Sequence, residues 1–290
     1  MLFHLLNRRI AIILIGASLL SFGQTNFQGQ AYYESKTTID MNNFGGGQLS
    51  EERKKQIADR MKSALEKTYV LIFNQTESLY REEERLEAPG QGRGFRFGMM
   101  STGGDLYKNV KLKQYLQEQE LMGKQFLVKD SLQDIKWQLG SETKTIGQYT
   151  CFKATATKKA DFDFSPFRRR PANDKPQDST NTQNDKKNEE DPEPSREVVV
   201  TVWYTPQIPI NQGPDTYWGL PGLILEVNAD RTTILCSKII INPSDKETIK
   251  VPSKGKEVSQ SEYDQIMKEK TEEMREMFRG RGGRGGGRRP

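Results

Sequence analysis

Apolar residues recur along the chain with two periods, and the switches between them mark out the elements. In QAYYESKTTI, Gln30 to Ile39, Tyr and Thr alternate against polar positions, the period of a half-buried strand. The stretch NNFGGGQL breaks it. Ile57, Met61 and Leu65 then fall at i, i+4 and i+8 with Ala58 and Ala64 beside them, which predicts a helix docking one face on a core. Ser50 is placed to cap that helix, with Glu51 and Glu52 in the first turn at the positive end of its dipole. Tyr69 to Phe73 reads as a buried strand, Asn74-Gln75 as a turn, and a second strand runs through Leu79-Tyr80. Short β segments follow in GDLYKNVKLKQYLQEQEL, KQFLVKD, IKWQLGSETKTIGQYTCFKATAT, VVVTVWYT, GLILEVN and TTILCSKIIIN. Ser259-Gln-Ser-Glu262 reads as a capping box opening a last helix, whose partial apolar face (Ile266, Met267, Met274, Met277, Phe278) extends to about Phe278. That face suits docking on the core, or a Met-rich contact with a partner helix. The predicted fold class is α+β: a curved antiparallel β-sheet laid out as a meander, a half-barrel in its more closed form, with one or two packing helices.

The run YWGLPGLILEV, Tyr217 to Val227, is the most apolar and most turn-punctuated stretch outside the N-terminus. Pro221 fixes φ at about −65° and Gly222 tolerates positive φ, so Leu220 to Leu223 is expected to form a type II turn. Leucines on both sides tuck that turn against the core as it feeds the strand from Leu223 to Val227.

Composition changes the picture at the ends and in one internal segment. Arg8-Arg9 followed by the apolar run Ile10 to Leu20 and by Ser21-Phe-Gly23 has the form of a secretory signal peptide, residues 1–23, with cleavage expected after Gly23. The run is shorter than the roughly 20 residues of a bilayer-crossing helix, and Gln24 stands where a lipoprotein would need Cys. Residues 24–278 are expected to form one β-rich domain. Within it, 161–197 carries five prolines and many charges of both signs, with no large apolar residue after Phe167. It is expected to be a disordered loop inserted in one sheet. Residues 279–290 form a Gly/Arg-rich tail, also expected to be disordered. The net charge of +5 falls to +3 without Arg8 and Arg9, and to −2 without the five arginines of the tail. The basic character thus belongs to the tail, and the body presents no basic face for nucleic acid.

The residue inventory removes whole classes of chemistry. The one histidine, His4, lies in the leader, so His-based triads, His-assisted thiols and histidine metal ligands are not available to the mature chain. No phosphate-binding glycine loop of the GxxxxGK[ST] type occurs, and no strand-linked GxGxxG. Ser253 and Lys256 match S-x-x-K without the companion motifs of that chemistry. Paired carboxylates such as Glu83 and Glu84 suit a solvated face. Asp40 to Glu51 partly fits a calcium loop, yet Phe44 stands at a ligand position and no helix precedes it, so a surface turn is expected. No catalytic residue, metal or cofactor is assigned. Cys151 and Cys236 are the two cysteines. They either pair, as an exported compartment permits, or act as two buried small hydrophobes.

In order, LIFNQTESLY (Leu71 to Tyr80), WQLGSETKTIGQYTCFKAT (Trp137 to Thr155), VTVWYTPQIPINQGP (Val200 to Pro214) and GLPGLILEV resemble the GLPGLI family, exported proteins of Bacteroidetes-type bacteria. The signature itself is Gly219, Leu220, Pro221, Gly222, Leu223 and Ile224. The loop 161–197 and the tail depart from that pattern. The resemblance implies a Gram-negative envelope and an antiparallel β-rich domain, and no particular activity. It also implies possible O-glycosylation acceptors at Ser131 and Ser179, each preceded by Asp and followed by an apolar residue or Thr.

The expected function is that of a non-enzymatic binding protein of the periplasm or outer-membrane face, holding an apolar ligand or an envelope protein, with Trp137, Trp203, Tyr204 and Trp218 lining an apolar groove. A second reading is an accessory subunit of an outer-membrane receptor or machine. Carboxylate or Lys catalysis is a third, disfavoured one. The tail's arginines offer contact to an anionic envelope surface.

Overall fold

The computed structural model describes residues 27–38, 50–83, 102–159 and 197–282. The first half of the chain supplies β1 (Gln28–Thr37), α1 (Glu51–Leu65), β2 (Glu66–Asn74), β3 (Glu77–Glu82), β4 (Thr102–Asn109), β5 (Gln114–Leu121) and β6 (Lys124–Ser131). The second supplies β7 (Gln138–Ile146), β8 (Tyr149–Lys159), β9 (Glu197–Thr205), β10 (Leu223–Ala229), β11 (Thr232–Ile241), β12 (Lys256–Val258) and α2 (Gln260–Gly282). All twelve strands form one sheet in the order β12-β6-β5-β4-β3-β2-β1-β11-β10-β9-β8-β7. Only β12 with β6 is parallel. Two meanders, β1 to β6 and β7 to β11, are fused where β1 pairs with β11 from Gly29↔Ile241 to Thr37↔Thr232.

Short turns set this order. Asn74 Oδ1 accepts from the backbone N–H groups of Thr76 at 2.8 Å and Glu77 at 2.7 Å, an Asx turn that folds β2 onto β3. Met122 and Gly123 both take positive φ between β5 and β6, as a tight hairpin requires. β8 and β9 pair out to Lys159↔Glu197, so the segment 160–196 leaves and re-enters one sheet at neighbouring positions.

The curvature follows from one connection. β6 ends at Ser131 and β7 begins at Gln138, yet these strands stand ten places apart in the sheet. Flat, that would be roughly 48 Å at about 4.8 Å per strand, whereas seven residue steps reach about 25 Å. The sheet is therefore bent back on itself, as the sequence predicts.

Its inner face buries the main core, including Tyr33, Leu71, Phe73, Leu106, Val128, Val202, Leu223, Leu225 and Val227. Tyr33 is fully buried and its hydroxyl donates to Ile224 O at 2.7 Å, tying β1 to β10 across β11. The outer face of β2 to β6 carries a smaller core of Val70, Ile72, Leu79, Tyr107, Leu116 and Leu127. Residues 242–255 run from β11 past six strands to β12 and cover it, with Ile249 packed on the cluster and Glu247 paired to Arg81 at 2.6 Å.

Both helices start where predicted. Ser50 Oγ accepts from Arg53 N at 3.4 Å at the head of α1. Of the face expected to dock on a core, Ile57 and Leu65 are half-buried and Ala58 is exposed, while the side chains of Met61 and Ala64 lie outside the described residues. The helix passes from Leu65 into β2 without a loop. At α2 the capping box forms: Ser259 N donates to Glu262 Oε2 at 2.7 Å and Glu262 N to Ser259 Oγ at 3.3 Å. Tyr263 packs edge-on against Phe126 at 5.7 Å, and Ile266 and Met267 join the inner core. The helix runs on to Gly282, beyond the expected end near Phe278, and Met277 points to solvent at 70% exposure. No helix among the described residues is long and apolar enough to cross a membrane.

Candidate functional site

Residues 206–222, between β9 and β10, do not run over the surface as connections usually do. Ile208, Ile210, Gln212, Tyr217, Trp218 and Leu220 are all buried, so the loop fills the inside of the curved sheet. Two prolines shape it. Ile210 N donates to Ile208 O at 2.8 Å across Pro209, and Gly222 N to Leu220 O at 2.8 Å across Pro221. Both are three-residue γ-type turns. The type II turn expected at Leu220 to Leu223 is thus corrected. Positive φ falls on Gly219, at +92°, and not on Gly222. Gly222 is required for closeness instead, because a Cβ there would stand 2.2 Å from Thr205 O. The buried setting of Leu220, Leu223 and Ile224 agrees with the expected corner, and Pro221 is its exposed tip.

The four aromatic candidates do not line one groove. Trp137 Nε1 donates to Trp218 O at 2.8 Å, and Trp218 Nε1 donates to Gln133 O at 3.1 Å. The two indoles thereby lock the β6–β7 connection onto the loop, and Trp218 keeps only 7% exposure. Trp203 and Tyr204 are successive strand residues, so they face opposite sides of the sheet. Tyr204 is buried inside against Phe152 at 6.2 Å.

Three polar residues that sequence reasoning passed over anchor the loop. Ser78 on β3 donates to Gln212 Oε1 at 2.8 Å, and Lys108 on β4 reaches the carbonyls of Gly213, Asp215 and Tyr217. A signal for Lys108 was available. It shares strand parity with Leu106 and Val110, so its side chain has to point into the core.

Trp203 lies on the outer face, where the register builds a transverse row: Lys153, Trp203, Glu226, Leu235 and Glu34 on adjacent strands. Lys144 Nζ stands 4.4 Å from the centre of the Trp203 ring and 2.5 Å from Glu226 Oε2. This covers the ring by a cation–π contact, and the indole is partly buried against the main core. The next row is Thr155, Thr201, Asn228 and Thr233. A recess of about 350 Å³ beside it is lined by Glu197, Val199, Thr201, Asn228 and Asp230. Among the described residues, no helix packs on this face of β8 to β11.

Cys151 and Cys236 are free thiols, both buried. Burial pushes Cys151 up to about 11 and Cys236 up to about 12, so little thiolate exists near neutral pH. The native protein is expected to leave a disulfide-exchange reagent unreacted and to release two thiols in denaturant without reductant. Zero thiols in denaturant would establish a bridge. Ser131 is exposed at the end of β6, where Asp130 Oδ1 accepts from its backbone N–H at 2.7 Å. Ser179, the expected leader, the tail beyond Gly282 and most of the calcium-like loop lie outside the described residues. Ser253 and Lys256 are exposed. Among the described residues no cluster of three metal-ligating side chains occurs.

Comparison with known proteins adds a family match and little else. No protein of curated function matches the chain. Two solved structures, "Structure of PNGF-II in C2 space group" and its counterpart in P21, each align with 83% of this chain at 13% identity and a TM-score of 0.43. The chain spans about a third of their length, 32% and 33%. At that similarity the superposition establishes neither fold nor activity. Residues 137–226 match the family described as "Protein of unknown function (Porph_ging)". The match opens at Trp137, takes in the whole 206–222 loop and closes at Glu226, so this part of the chain is similar to an uncharacterised, Bacteroidetes-type family.

Proposed function

We propose that this is a GLPGLI-family protein, exported to the periplasm or outer-membrane face, that acts without catalysis by holding a protein partner on the outer face of β8 to β11. The observation that carries this reading is the row Trp203–Glu226–Leu235. It sets a partly buried indole and an exposed leucine on either side of a carboxylate, on a sheet face that no described helix covers. Aromatic residues flanked by hydrogen-bonding groups are the usual anchors of protein interfaces. An apolar ligand inside the sheet is less well supported, since residues 206–222 occupy that space.

Photocrosslinking tests the reading. A crosslinker at Leu235 is expected to capture one recurrent envelope protein that a crosslinker at Leu112, exposed on the β4–β5 turn, does not. Trp203→Ala is expected to weaken that partner's binding roughly 30-fold, about 2 kcal/mol. Equal capture from both positions, or binding unchanged in Trp203→Ala, would remove the outer face from consideration.

A further inference from the structure

Ser78 on β3 and Lys108 on β4 are cross-strand partners, and both reach the 206–222 loop. The Ser78 hydroxyl donates to Gln212 Oε1 at 2.8 Å and holds the residue that precedes the contacts of Lys108. Lys108 itself has no exposed surface. Its Nζ donates to the carbonyls of Gly213 at 2.6 Å, of Asp215, and of Tyr217 at 3.3 Å. These are alternate residues of one short stretch, and their oxygens converge because the chain bends sharply between them. Asp215 takes a φ of +50°, a left-handed conformation uncommon outside glycine, and Tyr217 N donates to Pro214 O at 3.2 Å.

Three carbonyl oxygens around one nitrogen select its protonation state. An ammonium has three N–H groups and no lone pair, so each oxygen receives a hydrogen. A neutral amine has two N–H groups, and its lone pair would face the third oxygen. Burial draws the amine down from 10.5 to about 7, with Asp215 acting to raise it. Hydrogen bonds made to the charged form oppose the pull of burial. The neighbouring cation, Lys158, is engaged by Thr216 Oγ1 at 3.4 Å and by the Tyr217 ring, whose centre lies 5.6 Å away.

We infer that the carbonyls of Gly213, Asp215 and Tyr217 form a cation site of the class that takes an ammonium ion, that its resident is the chain's own Lys108, and that the 206–222 loop seats only around that charge. Without the cation, three inward carbonyl dipoles would converge with no donor among them, and the loop would open to let water reach them. Trp218 follows directly on the third carbonyl, so the ammonium also sets the position of the indole that locks the β6–β7 connection. The site lies on the opposite face of the sheet from Trp203, so its fate is independent of the partner-binding proposal.

Chemical rescue tests the inference. Lys108→Ala removes three methylenes and the ammonium, which are the atoms of propylammonium. The amides of Tyr217, Gly219 and Ile224, which donate to Pro214 O, Asn211 O and Gln212 O, report the seating of the loop through native-state hydrogen exchange. Their protection is expected to fall about 100-fold in both Lys108→Ala and Lys108→Met. Propylammonium chloride should restore it in Lys108→Ala, where propanol or sodium chloride at the same concentration does not. In Lys108→Met the side chain fills the space, and propylammonium should have no effect. If Lys108→Ala does not fold, the yield of refolding with propylammonium against propanol makes the same comparison. Nitrogen-15 NMR of the unaltered protein needs no variant: at about pH 8, where an amine held at about 7 is mostly neutral, Lys108 should still be a slowly exchanging ammonium. Full protection in Lys108→Met, no restoration by propylammonium, equal restoration by propanol, or a neutral Lys108 at that pH would overturn the cation site.

Discussion

Gly222→Ala is expected to prevent the protein from accumulating in folded form. The added methyl would stand 2.2 Å from Thr205 O, 2.5 Å from Thr205 C and 2.8 Å from Pro206 N, all main-chain atoms that no rotamer change can move away. Thr205 ends β9 and Leu223 opens β10, and these two residues pair, so relief means separating two central strands. A cost of about 4 kcal/mol or more follows, a large share of the 5–15 kcal/mol that holds a typical domain together. Gly219→Ala is the matched control. Its φ of +92° makes alanine strained, by about 1–3 kcal/mol, but the nearest atom to the new methyl is Trp137 Nε1 at 3.8 Å. Urea titration of the two variants should separate them clearly. A Gly222→Ala protein within about 1 kcal/mol of the parent would show that the strand junction yields.

The second large effect is expected at Trp218. Truncation to Ala removes a buried indole and leaves Gln133 O without its donor, at about 3–5 kcal/mol. Trp218→Phe keeps most of the buried area and should cost about 1–2 kcal/mol, mainly for the carbonyl left unpaired. Because Trp137 donates to Trp218 O, the side chains are coupled through one loop, and a Trp137→Phe, Trp218→Phe cycle should show an interaction energy of about 0.5 kcal/mol or more. Thermal unfolding decides the matter. If Trp218→Ala melts within a few degrees of the parent, Trp218 is not a structural lock.

Most of the strand pattern was legible because one face of each strand is buried. Tyr33 and Ala31 alternate with Tyr32 and Glu34, and Val200, Val202 and Tyr204 with Thr201 and Trp203, so period two follows the pleat. The same local reading fails where the cause lies elsewhere in the chain. Gly222 reads as a residue chosen for positive φ, and its real constraint is the backbone of Thr205, which no window around Pro221 contains. Trp137 and Trp218 look alike as exposed aromatic candidates, and only the bend of the sheet brings the β6–β7 connection onto the loop. β12 is three residues long and pairs parallel, with no period to detect. The covering segment 242–255 is polar and irregular, and it is placed by the apolar patch beneath it. For α1 the helix itself was legible, from its capping serine and its apolar period.

The seam between the two meanders governs how the fold is reached. Every other antiparallel pair in the sheet joins strands adjacent in sequence, but Thr37 and Thr232 meet from 195 residues apart. Such contacts are slow to form, because a long closure must precede any reward from pairing. While the chain emerges from its N-terminus, β1 has β2 on one side and an open ten-residue edge on the other until Thr232–Ile241 arrives. That exposed edge is the kind that captures other chains. The last long strand made closes the gap left by the first, so completing the sheet has to wait for most of the polypeptide, and any fragment ending before Thr232 is expected to aggregate.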